Sequence, residues 1–143
     1  GDSISQGLMG IHPFLNYVSL ISNVINADYL NLSVGGDLFD DRMFDCEIPY
    51  KPSVIIIALG TNDLPFVGEY KTIKENIERY FKKLRSLYPT IKINVISPIW
   101  QTDIERKTTQ DERDKHELFM KIYNKVLEEA HIYNCNANRS NSY

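Results

Sequence analysis

Apolar residues form several short, nearly continuous runs that are typical of β-strands. Residues 53–60 ("SVIIIALG") hold six consecutive apolar residues and end at a glycine. A β-branched run of this kind favours a central parallel strand covered by helices on both faces. Segments 29–34 ("YLNLSV") and 91–98 ("IKINVISP") are further strand candidates, because each stops at Gly or Pro. A fourth, shorter candidate covers 130–135 ("AHIYNC").

Between these runs the apolar positions recur every three or four residues, which predicts amphipathic helices over 70–87 and 111–129 and an earlier one over 12–25. Strands that alternate with helices predict an α/β fold, a sandwich with a parallel sheet and right-handed crossovers. We expect residues 1–143 to form a single domain. The residues that define the helical stripes are Ile73, Ile77, Tyr80, Phe81, Leu84 and Leu87; Leu118, Phe119, Ile122, Tyr123, Val126 and Leu127; and Phe14, Leu15, Val18, Ile21 and Val24.

Three turns rich in small residues are expected at one edge of this sheet: "GDSIS" (1–5), "NLSVGGD" (31–37) and "GTND" (60–63). In a parallel sheet, the loops that follow the strands lie at the carboxyl edge, where ligands usually bind. The first turn would follow a strand before residue 1, and the other two follow predicted strands. If that strand lies between the other two, the three turns are neighbours.

The residue types in these turns suit acyl transfer. Ser3 would offer a hydroxyl at a helix N-terminus, where developing negative charge is favoured. The backbone N–H groups of Ser3 and Gly36 and the neutral side-chain amide of Asn62 could donate to an oxyanion. Taken singly, each turn also has a plainer interpretation, as a common turn, a glycine loop or a helix cap. Their order, each after a predicted strand, favours a site.

The three turns resemble the first three blocks of the SGNH hydrolase (GDSL esterase/lipase) family: the nucleophile block, N-x-x-x-x-G and G-x-N-D. Residues 96–100 ("ISPIW") resemble the segment that ends the family's next strand. The resemblance implies a flavodoxin-like three-layer α/β/α sandwich and a serine esterase without a cofactor. It further implies that Ser3 is the nucleophile and that Gly36 and Asn62 complete the oxyanion hole.

The family takes its general base from a D-x-x-H block, and this chain has no D-x-x-H. A serine hydroxyl is a poor nucleophile until a base removes its proton. We interpret His12 as a capping or surface residue and His116 as part of a solvated helix face, since Asp114 lies two residues away and points elsewhere. His131 begins the last predicted strand, at the edge opposite Ser3.

The absence of both a strand before Gly1 and an Asp-His pair leads us to expect a chain truncated at both ends and nearly inactive alone. The polar tail from Asn134 could also be foreign to the parent protein. The alternative is a catalytically degenerate module that binds a carbohydrate or an acyl group. A phosphate binder is disfavoured, because no G-x-x-x-x-G-K loop is present.

Composition narrows the range of partners. The net charge of −3 gives no support for nucleic-acid binding, and no apolar run approaches the roughly 18 residues of a membrane span. Cys46 and Cys135 show no metal-binding spacing and leave the compartment open. We expect a small-molecule ester as substrate, with a short acyl group such as acetyl on a polar carrier, and no metal. Four residues could line an acyl site or could equally be ordinary packing: Phe39, Phe44, Pro65 and Phe66.

Overall fold

The computed structural model describes residues 1–8, 10, 12, 15–46, 48–65, 70–98 and 109–134. Its elements, in chain order, are helix α1 (Ser3–Gln6), helix α2 (Tyr17–Ile25), a 3-10 helix (Asp41–Phe44), strand β1 (Val54–Ile57), helix α3 (Tyr70–Leu87), strand β2 (Lys92–Val95), helix α4 (Gln110–Glu129) and strand β3 (Tyr133–Asn134).

The three strands form one parallel sheet in the order β1-β2-β3. Ile55 pairs with Ile93, and Asn94 pairs with Tyr133. Helix α3 lies between β1 and β2 in the chain, and α4 lies between β2 and β3. The predicted α/β class with a parallel sheet is therefore confirmed.

The strand predicted over 29–34 is wrong, because this segment is not part of the sheet. A strand needs a ladder of hydrogen bonds to a neighbour. Within the described residues, the only backbone bond from this segment to a distant one is donated by Val34 N–H to the Gly1 carbonyl, at 2.9 Å. Without a ladder the segment leaves the side chains of Leu30 and Leu32 about half exposed.

The two faces of strand β1 are buried to different extents in the described structure. Its side chains alternate across the sheet. Ile57 is buried against the core, whereas Val54 and Ile56 are 42% and 47% exposed. Among the described strands β1 lies at the edge of the sheet.

The buried stripes of α3 and α4 follow the predicted periodicity, except that Leu87 and Leu118 are exposed. Their aromatic members pack around the ring of Phe39, which comes from the loop before the 3-10 helix. The Phe39 ring lies edge-on to Tyr80 at 5.2 Å between centroids and 5.6 Å from Tyr123. Phe39 therefore belongs to the hydrophobic core.

Helix α2 begins at Tyr17, five residues later than predicted, because Asn16 caps it. The Asn16 Oδ1 accepts a hydrogen bond from the Ser19 backbone N–H at 2.9 Å. The predicted stripe of this helix is not buried in the described structure, since Ile21 and Val24 are exposed. Phe14, another member of that stripe, lies outside the described residues.

Gly60 is required at the end of the extended segment that follows β1. Its φ is +116°, and a Cβ there would lie 2.6 Å from Pro98 Cγ and 3.0 Å from Phe119 Cζ. We therefore expect Gly60→Ala to lower the free energy of unfolding by about 2 kcal/mol or more, through backbone strain and overpacking. Chemical denaturation monitored by circular dichroism measures the change.

Gly35→Ala is the matched control, because a Cβ at Gly35 would meet the flexible end of Gln6 at 3.2 Å. Equal destabilisation by the two substitutions would contradict the proposed steric cause.

Candidate active site

Ser3 is the first residue of α1. Asp2 caps this helix, its Oδ1 accepting a hydrogen bond from the Ile4 N–H at 3.0 Å. The helix ends after four residues at Gly7, whose φ of 82° is left-handed. So short a helix aligns few peptide dipoles, so negative charge near Ser3 would depend mainly on individual N–H donors.

Two side chains tie α1 to the loop that carries Gly36. The Asn31 amide donates to the Ser5 carbonyl at 2.8 Å. The Gly35 N–H donates to Gln6 Oε1, also at 2.8 Å. A Cβ built on Gly35 would lie 3.6 Å from the Ser3 Cβ. The structure thus places the first two turns side by side.

Gly36 has a φ of +80°, a conformation that residues with a side chain rarely adopt. No atom lies within 4 Å of the position that a Cβ would occupy. The glycine is therefore needed for its backbone conformation, and the space beside it is open.

Asn62 and Asp63 tie the third turn to this same loop. The Asn62 Nδ2 donates to the Asp37 carbonyl at 3.0 Å, and Asp63 Oδ1 accepts from the Phe39 N–H at 3.3 Å. A primary amide carries two N–H groups, so the bond to Asp37 leaves Asn62 a second one for a ligand. The loop between Gly35 and Phe39 thus joins all three turns.

The environment of Asp63, the last residue of the G-x-N-D block, could not be read from the sequence. Its side chain is 4% exposed. Burial, with a contribution from the nearby Asp37 charge, raises the pKa of Asp63 to about 6. Its Oδ2 has no hydrogen-bond partner in the described structure, and neither has the buried Tyr123 hydroxyl. The sequence signal for Asp63 was its place as the last residue of the "GTND" turn, three residues after Gly60.

A cleft of about 180 Å³ lies beside α1, at the carboxyl ends of β1 and β2. Ser97 and Pro98 bring the segment that follows β2 into its wall, whereas Trp100 lies outside the described residues. Ser3 itself does not line the cleft, but both of its neighbours do. The lining residues are Asp2, Ile4, Ser5, Tyr17, Ala58, Leu59, Thr61, Ile96, Ser97 and Pro98.

Two of the four residues considered for an acyl site are part of the core packing. Phe39 is a core residue, and Phe44 packs against the core with its ring 4.9 Å from that of Tyr80. Pro65 is exposed, and Phe66 lies outside the described residues. The packing interpretation therefore holds for Phe39 and Phe44.

The three histidines occupy separate parts of the chain. His12 is exposed in the segment after α1, and His116 is half-buried on α4, where burial lowers its pKa. His131 lies two residues before β3, on the side of its amino end. Within the described residues, no histidine forms a hydrogen bond with Ser3.

The described residues contain no group of three or more His, Cys, Asp or Glu side chains that could hold a metal ion. Cys46 is exposed, and Cys135 lies outside the described residues. In the same parts of the chain, no helix is both long enough and apolar enough to cross a bilayer.

The raised pKa of Asp63 has a consequence for stability. Because its pKa rises from 3.8 to about 6 on folding, the native state binds the proton more tightly, and stability from this group falls as the pH rises between these values. Asp63→Asn removes this loss. We expect the free energy of unfolding of the variant, relative to wild type, to increase by about 1 kcal/mol between pH 5 and pH 7.5. Urea denaturation at both pH values tests this, with the exposed Asp28→Asn as control; a constant difference would contradict it.

Comparison with known proteins bears on the fold and the family of the chain. No curated protein sequence matches the chain. One similar solved structure is the psychrotrophic esterase EstA from a Pseudoalteromonas species, inhibited by monoethylphosphonate. It is 19% identical, with a TM-score of 0.69 over 94% of this chain and 72% of that one, which confirms the α/β sandwich fold. The sequence model of the GDSL-like lipase/acylhydrolase family matches residues 1–140. The chain therefore belongs to the GDSL-like lipase/acylhydrolase family.

Proposed function

We propose that the chain is a serine esterase that cleaves a carboxylic ester through an acyl-enzyme on Ser3, with no cofactor. The observation that carries the proposal is the loop between Gly35 and Phe39. It lies against Ser3 on one side and accepts the Asn62 amide on the other. A hydroxyl and two kinds of neutral N–H donor thereby share one small region.

In the proposed reaction, a base takes up the Ser3 hydroxyl proton as Ser3 Oγ forms a bond to the acyl carbon, and the carbonyl oxygen becomes an oxyanion. The N–H groups of Ser3 and Gly36 and the Asn62 amide donate to that oxygen. The bond from the acyl carbon to the alcohol oxygen then breaks, and the leaving alkoxide takes up the proton that Ser3 gave away. Water next gives a proton to the base and attacks the acyl carbon; the bond from that carbon to Ser3 Oγ breaks, and Ser3 Oγ regains the proton as the acid leaves.

The size of the cleft favours a short acyl group on a polar carrier. At about 180 Å³ it is smaller than the roughly 300–1,000 Å³ of ordinary ligand pockets. Its wall includes the apolar residues Ile4 and Leu59 and the hydroxyl-bearing residues Thr61 and Tyr17. An acetyl group would fit against the apolar part.

A second function, a binding module of the same family, is favoured by one observation. No histidine of the described residues is hydrogen-bonded to Ser3, and a serine without a base reacts slowly. Such a module would hold an acylated ligand in the cleft without turning it over.

Labelling of Ser3 tests the enzymatic proposal directly. We expect an alkyl fluorophosphonate to react once with the wild-type chain, at Ser3, with loss of fluoride, because the phosphoryl oxygen of the tetrahedral adduct would accept hydrogen bonds from the proposed oxyanion donors. Intact mass and peptide mapping measure the adduct, with and without imidazole as an added base. Ser3→Ala should abolish labelling, and the exposed Ser53→Ala should leave it unchanged.

The same experiment separates the two functions. No adduct at Ser3 even with imidazole would contradict the esterase. Saturable binding of N-acetylglucosamine, whose acetamide mimics an acetyl ester, would then support the binding module.

The role of Asn62 gives a second prediction. Loss of one oxyanion donor lowers reaction rates by about 10²–10³-fold in serine hydrolases. We expect Asn62→Ala to slow phosphonate labelling of Ser3 by a factor in this range while the chain stays folded. The exposed Asn23→Ala is the matched control, and an equal rate in both variants would argue against an oxyanion role.

A further inference from the structure

Two hydrogen bonds hold the loop after Gly36 against the turn that carries Asn62. The first runs from the Asn62 amide to the Asp37 carbonyl, and the second from the Phe39 N–H to the Asp63 carboxyl. On the loop, the two bonds involve Asp37 and Phe39, which are separated by a single residue, Leu38. Adjacent residues of the turn thus hold the loop at two points.

The loop is also held by the core at Phe39 and by a hydrogen bond at Gly35. The Phe39 side chain is 2% exposed, and its ring packs against α3 and α4. At the other end, Gln6 binds the Gly35 N–H. Between these anchors, the Asp63 carboxyl is the side-chain group that binds the loop backbone at Phe39.

We propose that Asp63 is a positioning residue of the candidate active site, which sets the distance between the Gly36 N–H and the Asn62 amide. The proposal rests on the proposed function, because it is as oxyanion donors that these two groups need a fixed spacing. Asp63 is itself buried and does not line the cleft. It acts through the loop.

The surroundings of Asp63 make this positioning sensitive to pH. The titratable groups that face it are Asp37 from the loop and the Tyr123 hydroxyl from α4, with Tyr80 of α3 acting on Tyr123 in turn. Burial raises the pKa of Asp63 to about 6. A carboxylate accepts a stronger hydrogen bond than a neutral acid does. The Phe39 N–H is therefore held more firmly above about pH 6 than below it.

Nuclear magnetic resonance of the ¹⁵N-labelled 143-residue chain tests the proposal without requiring activity. The signals to follow from pH 4.5 to 8 are the backbone N–H of Gly36 and Phe39 and the side-chain amide of Asn62. In wild type we expect all three to shift with a midpoint near pH 6. Asp63→Asn should abolish this titration, and the exposed Asp28→Asn should preserve it.

A second readout is the exchange of the Phe39 amide proton with deuterium. We expect Asp63→Ala to speed this exchange at least tenfold, because it removes the acceptor. Asp63→Asn should partly rescue protection, because its side-chain oxygen still accepts. The signals of Gly36 and Asn62 should move in the alanine variant and move less in the asparagine variant.

The proposal is overturned if the Gly36 and Asn62 signals stay unchanged in a folded Asp63→Ala chain. A titration that persists in Asp63→Asn would assign the proton to Asp37 and would also overturn it. If the alanine variant does not fold, the wild-type and asparagine titrations decide. Absence of phosphonate labelling in wild type would refute the proposed function alone, because the resonance signals report the spacing independently.

Discussion

Burial of the Phe39 ring is the interaction on which both the core and the candidate site depend. The ring fills the space between α3 and α4, where it contacts Tyr80, Phe81 and Tyr123. Its backbone N–H, in turn, is bound by Asp63. Because an aromatic ring in a close-packed interior has few alternative positions, the loop that carries Gly36 inherits its position from the core. The donors near Ser3 are thus placed by residues that do not touch a substrate.

This arrangement has an electrostatic cost. A carboxyl group that is 4% exposed and whose Oδ2 has no hydrogen-bond partner in the described structure is poorly compensated for the loss of water. The chain accepts this cost at a residue next to Asn62, where a second loop contact is needed. A buried, strained or poorly paired group beside a candidate site is a common trade of stability against geometry.

The helices were predictable because their signal is local. The stripes of α3 and α4 repeat within a few turns, so the buried positions follow from spacing alone, and only Leu87 and Leu118 depart from it. Strand formation is different, because it needs a neighbour. Segment 29–34 has the composition of a strand and is not one, since its residues meet no ladder in the described structure. The exposure of Val54 and Ile56 on β1 was not predictable for the same reason, because the burial of a strand depends on neighbours that its own sequence does not specify.

The residues of the candidate site also divide into those with a local sequence signal and those that depend on a distant partner. Ser3, Gly36 and Asn62 were identified because each lies in a short segment with a recognisable pattern. The contributions of Gln6 and Asp63 could not be predicted, because each depends on a partner far away in the sequence. The bond from Gly35 to Gln6 spans 29 residues, and that from Phe39 to Asp63 spans 24. A local sequence pattern cannot predict which distant residues will form such a hydrogen bond.

These separations also bear on the order in which the molecule assembles. Each bond that joins the three turns closes a loop of 24 to 33 residues and orders that chain in return for a single hydrogen bond. By contrast, α3 and α4 gain their hydrogen bonds within a turn. The segment from residue 1 to 38 should therefore dock late in folding and open first in the native state, while the packed helices stay closed. The candidate active site would then open as a cooperative unit of its own, at a lower free energy than global unfolding.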